Sequence, residues 1–296
     1  MTNAGTNALL RGLAPRRRTP LIAGNWKMNL NHAHAQDHVH ELDRLLRDAG
    51  HDYTAVEVAV LPPFTDLHSV HTLIEGDGLS LLYGAQDLSA HDFGAYTGDI
   101  SGEFLATLGC RYVTVGHSER RQYHAETDQI ISAKVRAADR HGLTPILCVG
   151  EGLEVRQEGR HVEYVIAQLD AALAPFNPAF PKVSEDSVES VVIAYEPVWA
   201  IGTGEVATPA DAQEMCSAIR SHLAKLYTSN AQADIRILYG GSVKASSVAM
   251  LMDEPDVDGA LVGGASIDPK EFAGLCANSA RRTGPLSPPN QHRVGP

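Results

Sequence analysis

Val191-Val192-Ile193-Ala194-Tyr195 is an unbroken apolar run, and it ends on a carboxylate and a proline, Glu196-Pro197. No polar residue alternates with the apolar ones, as it would on a sheet with one wet face. A run of this kind belongs to a strand covered on both sides, the condition of a parallel sheet. Further on, Thr208-Pro209 opens a stretch in which Ala212, Met215, Ile219, Leu223 and Leu226 recur at helical spacing. Thr208 stands as N-cap and Pro209 at the first helical position, where a missing N–H costs nothing. A buried strand, a reactive residue at its end and an amphipathic helix make one βα unit.

The unit recurs through the chain until there are eight. The other runs are Leu21–Ala23, Val56–Leu61, Leu81–Ala85, Tyr112–Val115, Pro145–Val149, Ile235–Tyr239 and Gly259–Val262, each followed by a longer stretch with helical spacing. In the first such stretch His38, Leu42, Leu45 and Leu46 share one stripe. Eight units predict either a closed (β/α)8 barrel or a doubly wound open sheet. No G-x-G-x-x-G opens the first βα turn, which speaks against the dinucleotide-binding open sheet. A barrel also requires reactive residues just past the strand C-termini. Asn25 and Lys27 follow the first run, Gln86 the third, His117 the fourth, Glu196 the sixth, Gly240-Gly241-Ser242 the seventh and Gly263-Gly264 the eighth. The predicted architecture is therefore α/β, a single-domain (β/α)8 barrel. The 296 residues accommodate it, since such barrels run to about 250 residues as one domain.

The barrel is assigned to residues 20–277, between a basic extension (1–19) and a tail (278–296), both expected to be disordered. The extension holds Arg11, Arg16, Arg17 and Arg18, no acid, and apolar runs too short for a secretory signal. A transit peptide is the alternative; composition favours an unstructured tail. A net charge of -12 makes the chain a poor candidate for binding nucleic acid, where basic stripes do the work, or an anionic membrane surface. No apolar run approaches the roughly 18 residues of a membrane span. Cys110, Cys148, Cys216 and Cys276 form no C-x-x-C pair or metal-ligand spacing, as suits a reducing cytoplasm.

The strand-end residues define a chemistry. Glycine pairs in the seventh and eighth βα loops let backbone N–H groups approach an anion, the usual phosphate position in barrels. Glu196, partly desolvated at a strand end, is expected to have a raised pKa and to act as a base. The following segment, Pro197 to Gly204, is apolar in the middle and glycine-hinged, as a closing lid requires. His117 stands where a helix begins, so added positive charge is disfavoured and the neutral imidazole can polarise a carbonyl. Lys27 supplies a cation for an anionic substrate and Asn25 orients a carbonyl or hydroxyl. The other histidines, His32, His34, His38 and His40 among them, are expected to be solvated. No cofactor motif, metal-ligand set or activated nucleophile accompanies these groups. What they can do is move a proton beside a carbonyl on a small phosphorylated molecule.

Gly24-Asn25-Trp26-Lys27-Met28-Asn29, Gly116-His117-Ser118-Glu119-Arg120-Arg121, Ala194 through Gly204, Tyr239-Gly240-Gly241-Ser242-Val243 and Leu261-Val262-Gly263-Gly264-Ala265 together resemble the triose-phosphate isomerase family, in order and at family-like spacing. The likeness runs from about Pro20 to Ala277. It implies a TIM barrel without cofactor, acting on a phosphorylated three-carbon substrate in glycolysis and gluconeogenesis. It further implies Glu196 as proton acceptor, neutral His117 as electrophile, Lys27 and Asn25 as charge-stabilising and orienting groups, and Gly202, Ser242, Gly263 and Gly264 as phosphate ligands. That division of labour between carboxylate and neutral imidazole is the family's own well-known one. Glu119 and Tyr239 would support the site. Gly94-Ala95-Tyr96-Thr97-Gly98-Asp99-Ile100-Ser101 resembles the family's interdigitating loop, implying a homodimer in which Thr97 braces the partner's Asn25, Lys27 and His117.

Two positions depart from the family pattern. Asp99 is one methylene shorter than the usual Glu, so the implied ion pair with Arg120 should be longer or water-bridged. Glu205 reverses the charge of the Lys that commonly starts the lid's second hinge. Two other readings are a lyase or synthase on a larger sugar phosphate, which calls for a Schiff-base lysine or second acid inside the barrel, and a non-catalytic metabolite-binding protein, free to lose Glu196 or His117.

Overall fold

The computed structural model describes residues 18–173, 191–201, 205, 207–227 and 234–280. Eight parallel strands close on themselves in chain order: β1 (Leu21–Asn25), β2 (Glu57–Leu61), β3 (Leu82–Ala85), β4 (Tyr112–Val115), β5 (Thr144–Val149), β6 (Val192–Tyr195), β7 (Ile237–Tyr239) and β8 (Gly259–Val262). Leu21 pairs with Glu57 on one side and with Gly259 on the other, which shuts the ring. The apolar runs read from the sequence match these strands to within two residues at every end.

Around the ring lie α1 (His32–Asp48), α2 (Phe64–Asp77), α3 (Gly102–Thr107), α4 (Ser118–Tyr123), α5 (Asp128–Arg140), α6 (Leu153–Gln157), α7 (His161–Leu173), α8 (Pro209–Leu226), α9 (Val248–Met252) and α10 (Pro269–Ala277). Thr208 caps α8 as expected: its hydroxyl accepts the Asp211 N–H while the Asp211 carboxylate accepts the Thr208 N–H.

Strand parity divides the core in two. Leu21, Ala23, Ala59, Leu61, Tyr112, Ile146, Cys148, Val192, Ala194, Leu238 and Leu261 fill the barrel interior. Ile22, Val58, Val60, Val113, Leu147, Ile193 and Ile237 pack outward with the helices. Continuing the parity of Leu21-Ala23 and of Val192-Ala194 aims Asn25 and Glu196 inward at the C-terminal mouth. Parity would turn His117 outward, counting from Tyr112; Gly116 at φ 72° breaks the count and swings it back.

The N-terminal face is sealed by charge. Arg236 donates to Glu57 at 2.6 Å and to the Tyr112 hydroxyl at 2.7 Å. The fully buried Asp258 holds Arg220 and Arg18, the latter at 2.8 Å, so the chain is tethered to the barrel from Arg18 onward. At the other end of the chain, the Asn278 amide donates to the Ala245 carbonyl at 2.9 Å and Ser279 is buried. The remainder of the two predicted tails lies outside the described residues.

Candidate active site

Glu196 sits one residue past β6 and is only 2% exposed. Its Oε2 accepts the Ser118 N–H at 2.9 Å, and its Oε1 accepts the Ser118 hydroxyl at 3.2 Å and His117 Nε2–H at 3.0 Å. Gly240, at the end of β7, closes over it: a Cβ there would stand 2.9 Å from Glu196 Cγ. Only glycine fits so near the carboxylate stem.

His117 is the N-cap of α4 and is 7% exposed. Its Nδ1 accepts the Glu119 N–H at 3.2 Å, so the remaining proton sits on Nε2 and faces Glu196. Burial works against a charged ring, but the Glu196 carboxylate beside it prevails and raises the imidazole pKa above its usual value. Burial likewise pushes the Glu196 carboxyl up, while His117 and both Ser118 donors outweigh it and hold the carboxyl below the usual range. This corrects the expectations of a raised carboxyl and of a ring on which positive charge is disfavoured. The cause is contact: a carboxylate docked on three donors is stabilised as the anion. Once Glu196 leaves, the Glu119 N–H still occupies the lone pair that a second proton on the ring would need.

Lys27 takes up φ 53°, a left-handed conformation rare for a side-chain-bearing residue. Asn25 Oδ1 accepts its N–H at 3.0 Å, and the Gln86 amide donates to its carbonyl at 2.9 Å and to that of Leu61 at 2.9 Å. The strain is thus held from strands β1, β2 and β3 together, and its effect is to aim the ammonium across the mouth. Lys27 Nζ donates to Glu119 Oε1 at 2.5 Å. Gly263 faces the same side chain, since a Cβ on it would meet Lys27 Cε at 3.3 Å. Cation and predicted anion loop therefore touch. Gln86 had been placed at a strand end in the sequence without a role; its amide is a support for the lysine backbone.

Ser242 is exposed after Gly240-Gly241, and Gly263 leads into the single turn Gly264–Ser266. Tyr239 is 2% exposed, packed outward, and lies directly beneath Gly241, where no Cβ could be added. Gly202 lies outside the described residues, as do Thr203, Gly204 and Val206 of the predicted lid. Both flanks of that lid are tied to groups that sequence reasoning missed. Glu151 accepts from Trp199 Nε1 and from the Tyr195 hydroxyl, each at 3.0 Å. Arg156 lies over the Trp199 ring at 5.5 Å and donates to Asp211, in the cap of α8, at 2.6 Å.

Thr97 is at the exposed end of the loop between β3 and α3. Among the described residues no direct Asp99–Arg120 ion pair forms: Asp99 accepts the Ser89 hydroxyl at 2.6 Å, while Arg120 is engaged by Asp87 at 2.9 Å and Glu126 at 2.6 Å. His32, His34 and His40 are exposed as expected, but His38 is buried at 5% exposure and corrects that reading. Its place in the stripe with Leu42 and Leu46 was the signal. No cluster of three or more His, Cys, Asp or Glu among the described residues has a metal-holding arrangement. No helix among them is long and apolar enough to cross a membrane.

A family model described as triosephosphate isomerase matches residues 20–279. A protein named triosephosphate isomerase from Streptomyces coelicolor is 62% identical over 255 residues, 86% of this chain and 95% of the relative. Proteins of the same name from Mycobacterium tuberculosis and Saccharopolyspora erythraea are 57% and 55% identical over 269 residues, 91% of this chain and 99% of each relative.

Proposed function

The chain belongs to the triosephosphate isomerase family, and from that premise we propose how its own residues carry the reaction. It is an isomerase that interconverts dihydroxyacetone phosphate and D-glyceraldehyde 3-phosphate, a step of glycolysis and gluconeogenesis. The observation that carries the residue assignment is the meeting of Glu196 and His117 at 3.0 Å on the barrel mouth, beside Lys27 and Gly263.

Substrate phosphate is held by backbone N–H groups of Ser242, Gly263 and Gly264, joined by Gly202 from the lid, with Lys27 balancing its charge. Filling the mouth displaces Glu196 from Ser118 and His117. The freed carboxylate loses stabilising donors, becomes more basic, and takes the proton from C1 of dihydroxyacetone phosphate. His117 Nε2–H, released from the carboxylate, donates to the carbonyl oxygen and steadies the enediolate; the proton then returns at C2. Asn25 and Lys27 stabilise the charge that develops on oxygen. Lid closure excludes water and keeps the enediolate from shedding phosphate.

The test is a coupled assay on purified protein without added metal or nucleotide. Isomerase activity there, lost in Glu196→Gln, supports the assignment; a fully active Glu196→Gln variant overturns it.

The same reading places the enzyme in the cytoplasm as a homodimer. Residues 93–99 of the loop carrying Thr97 are exposed, and Met28, Phe93 and Tyr123 are 96%, 83% and 71% exposed. Such apolar exposure near a site-bearing loop suits burial against a second copy, with Thr97 supporting the partner's Asn25, Lys27 and His117.

A further inference from the structure

The mouth has two halves that must stay in register: the β1 loop, which presents Asn25 and Lys27, and the β8 loop, which presents Gly263 and Gly264. The backbone on which both sit is tightly packed. A Cβ on Gly24 would stand 2.8 Å from Phe272 Cζ and 2.9 Å from Ser266 Cβ, so Ser266 rests directly against β1. Ser266 is fully buried and closes the β8 turn: its N–H reaches the Gly263 carbonyl at 2.8 Å. Its hydroxyl is shared between the carbonyls of Gly263 at 2.7 Å and Asn25 at 3.3 Å. One serine therefore ties the phosphate glycines to the residue that orients the substrate. It is held in turn from the helix layer. His38, on the buried face of α1, reaches the Ser266 carbonyl with Nε2 at 2.9 Å.

A carbonyl only accepts, so the imidazole is the donor and its tautomer is fixed with the proton on Nε2. The other nitrogen, Nδ1, is buried without a protein partner. The same ring packs on Trp26, with centroids 4.9 Å apart at 57°, and Trp26 lies between Asn25 and Lys27 in the chain. One side chain thus touches both halves of the mouth, by a hydrogen bond on one and by a ring contact on the other. An aliphatic residue would fill the space as well. What an imidazole adds is a directed donor to the β8 turn.

We propose that His38 is a positioning residue for phosphate recognition, holding the Gly263-Gly264 turn at its working distance from Lys27 through the Ser266 carbonyl. The proposal rests on the phosphate-site reading above and extends it to a residue that touches no substrate atom. Loss of the donor leaves the Ser266 carbonyl buried and unpaired, and the turn relaxes to recover a partner. The phosphate half of the site loosens while Glu196 and His117, at the ends of β6 and β4, keep their geometry.

The test compares His38→Leu, which keeps apolar volume, with His38→Gln, whose side-chain N–H reaches a similar point. Inorganic phosphate and 2-phosphoglycolate binding are measured by calorimetry, and turnover is measured on dihydroxyacetone phosphate and on phosphate-free glyceraldehyde. The expected result for His38→Leu is a fivefold to tenfold weaker Kd for both anions, on the order of one lost hydrogen bond. KM should rise by a similar factor with kcat little changed, glyceraldehyde turnover should be unaltered, and His38→Gln should return within about twofold. Anion affinity unchanged in His38→Leu, or glyceraldehyde turnover falling in parallel with triose phosphate turnover, overturns the proposal. A measurement on unmodified protein stands beside it should His38→Leu fail to fold. With ¹⁵N-labelled histidine, the His38 signal, assigned by its absence in His38→Gln, should report a neutral Nε2–H ring and shift on saturation with inorganic phosphate. A signal indifferent to phosphate overturns the proposal. Unmodified protein that neither binds phosphate nor isomerises would instead sink the reading of the site itself.

Discussion

Replacing Glu196 by Gln separates the charge of this side chain from its shape. In the resting site the carboxylate accepts three hydrogen bonds, from the Ser118 N–H, the Ser118 hydroxyl and His117 Nε2–H. A glutamine amide offers one oxygen and one NH₂, so one end must face donors. Turned one way, the NH₂ opposes the Ser118 backbone N–H, which cannot move. Turned the other way, it opposes His117 Nε2–H, and that ring cannot switch tautomer without setting a proton on Nδ1 against the Glu119 N–H. Only the Ser118 hydroxyl can rotate to suit. One buried hydrogen bond becomes a donor–donor contact in either pose, at a cost of about 1–3 kcal/mol. For a protein of this size that lowers Tm by roughly 2–4 °C per kcal/mol. The effect on chemistry is far larger: loss of a positioned base should cut turnover by roughly 10²–10⁴. Affinity for 2-phosphoglycolate should change little, because Lys27 and the glycine loops are untouched. The assays are a thermal melt, the coupled isomerase reaction and calorimetry. Turnover within a fewfold of the parent protein, or inhibitor affinity falling as steeply as turnover, would refute the reasoning.

Lys27→Ala removes the cation that lies against Gly263. At 30% side-chain exposure the contact is partly screened, so the low end of the range for a lost charge pair applies, about 2–3 kcal/mol or roughly 30–150-fold in 2-phosphoglycolate affinity; calorimetry showing unchanged affinity would remove Lys27 from the site. His38 is held neutral: burial lowers its pKa from 6.5, against the Ser266 carbonyl and the Asp268 carboxylate, which raise it. A depressed histidine gives full stability above the unfolded pKa and loses it as pH falls. The melting temperature of the parent protein should therefore decline below about pH 6.5 more steeply than that of His38→Gln, and parallel pH profiles would contradict the assignment. Sedimentation should report a dimer; a fully active monomer would contradict the role given to Thr97.

The barrel was legible because its strands are buried on both faces and so read as unbroken apolar runs, each ending on a residue that chemistry could use. Asn25 and Glu196 were placed by their positions just past the first and sixth apolar runs. The pKa directions of Glu196 and His117 were not legible, since they depend on a contact between residues 79 positions apart that composition does not encode. His38 was readable in part. Its spacing with Leu42 and Leu46 put it on the buried stripe, whereas its residue type argued for solvent, and the tertiary partner Ser266 decided between them. The lid ties through Glu151 and Arg156, and the charged seal of Arg236, Glu57 and Asp258, come from elements far apart in the chain and left no local pattern. The shorter Asp99 was noticed, but Ser89 as its alternative partner could not be foreseen.

The ion pair between Arg18 and Asp258 has a practical side. It fastens the start of the barrel beneath β8, a full strand length, roughly 13–17 Å, from the end where substrate is handled. Anything grafted ahead of Arg18, an affinity handle or a whole carrier domain, would hang from the underside. Such fusions should leave catalysis untouched, and the upstream end of this polypeptide is the natural place to immobilise it on a surface with the mouth turned outward.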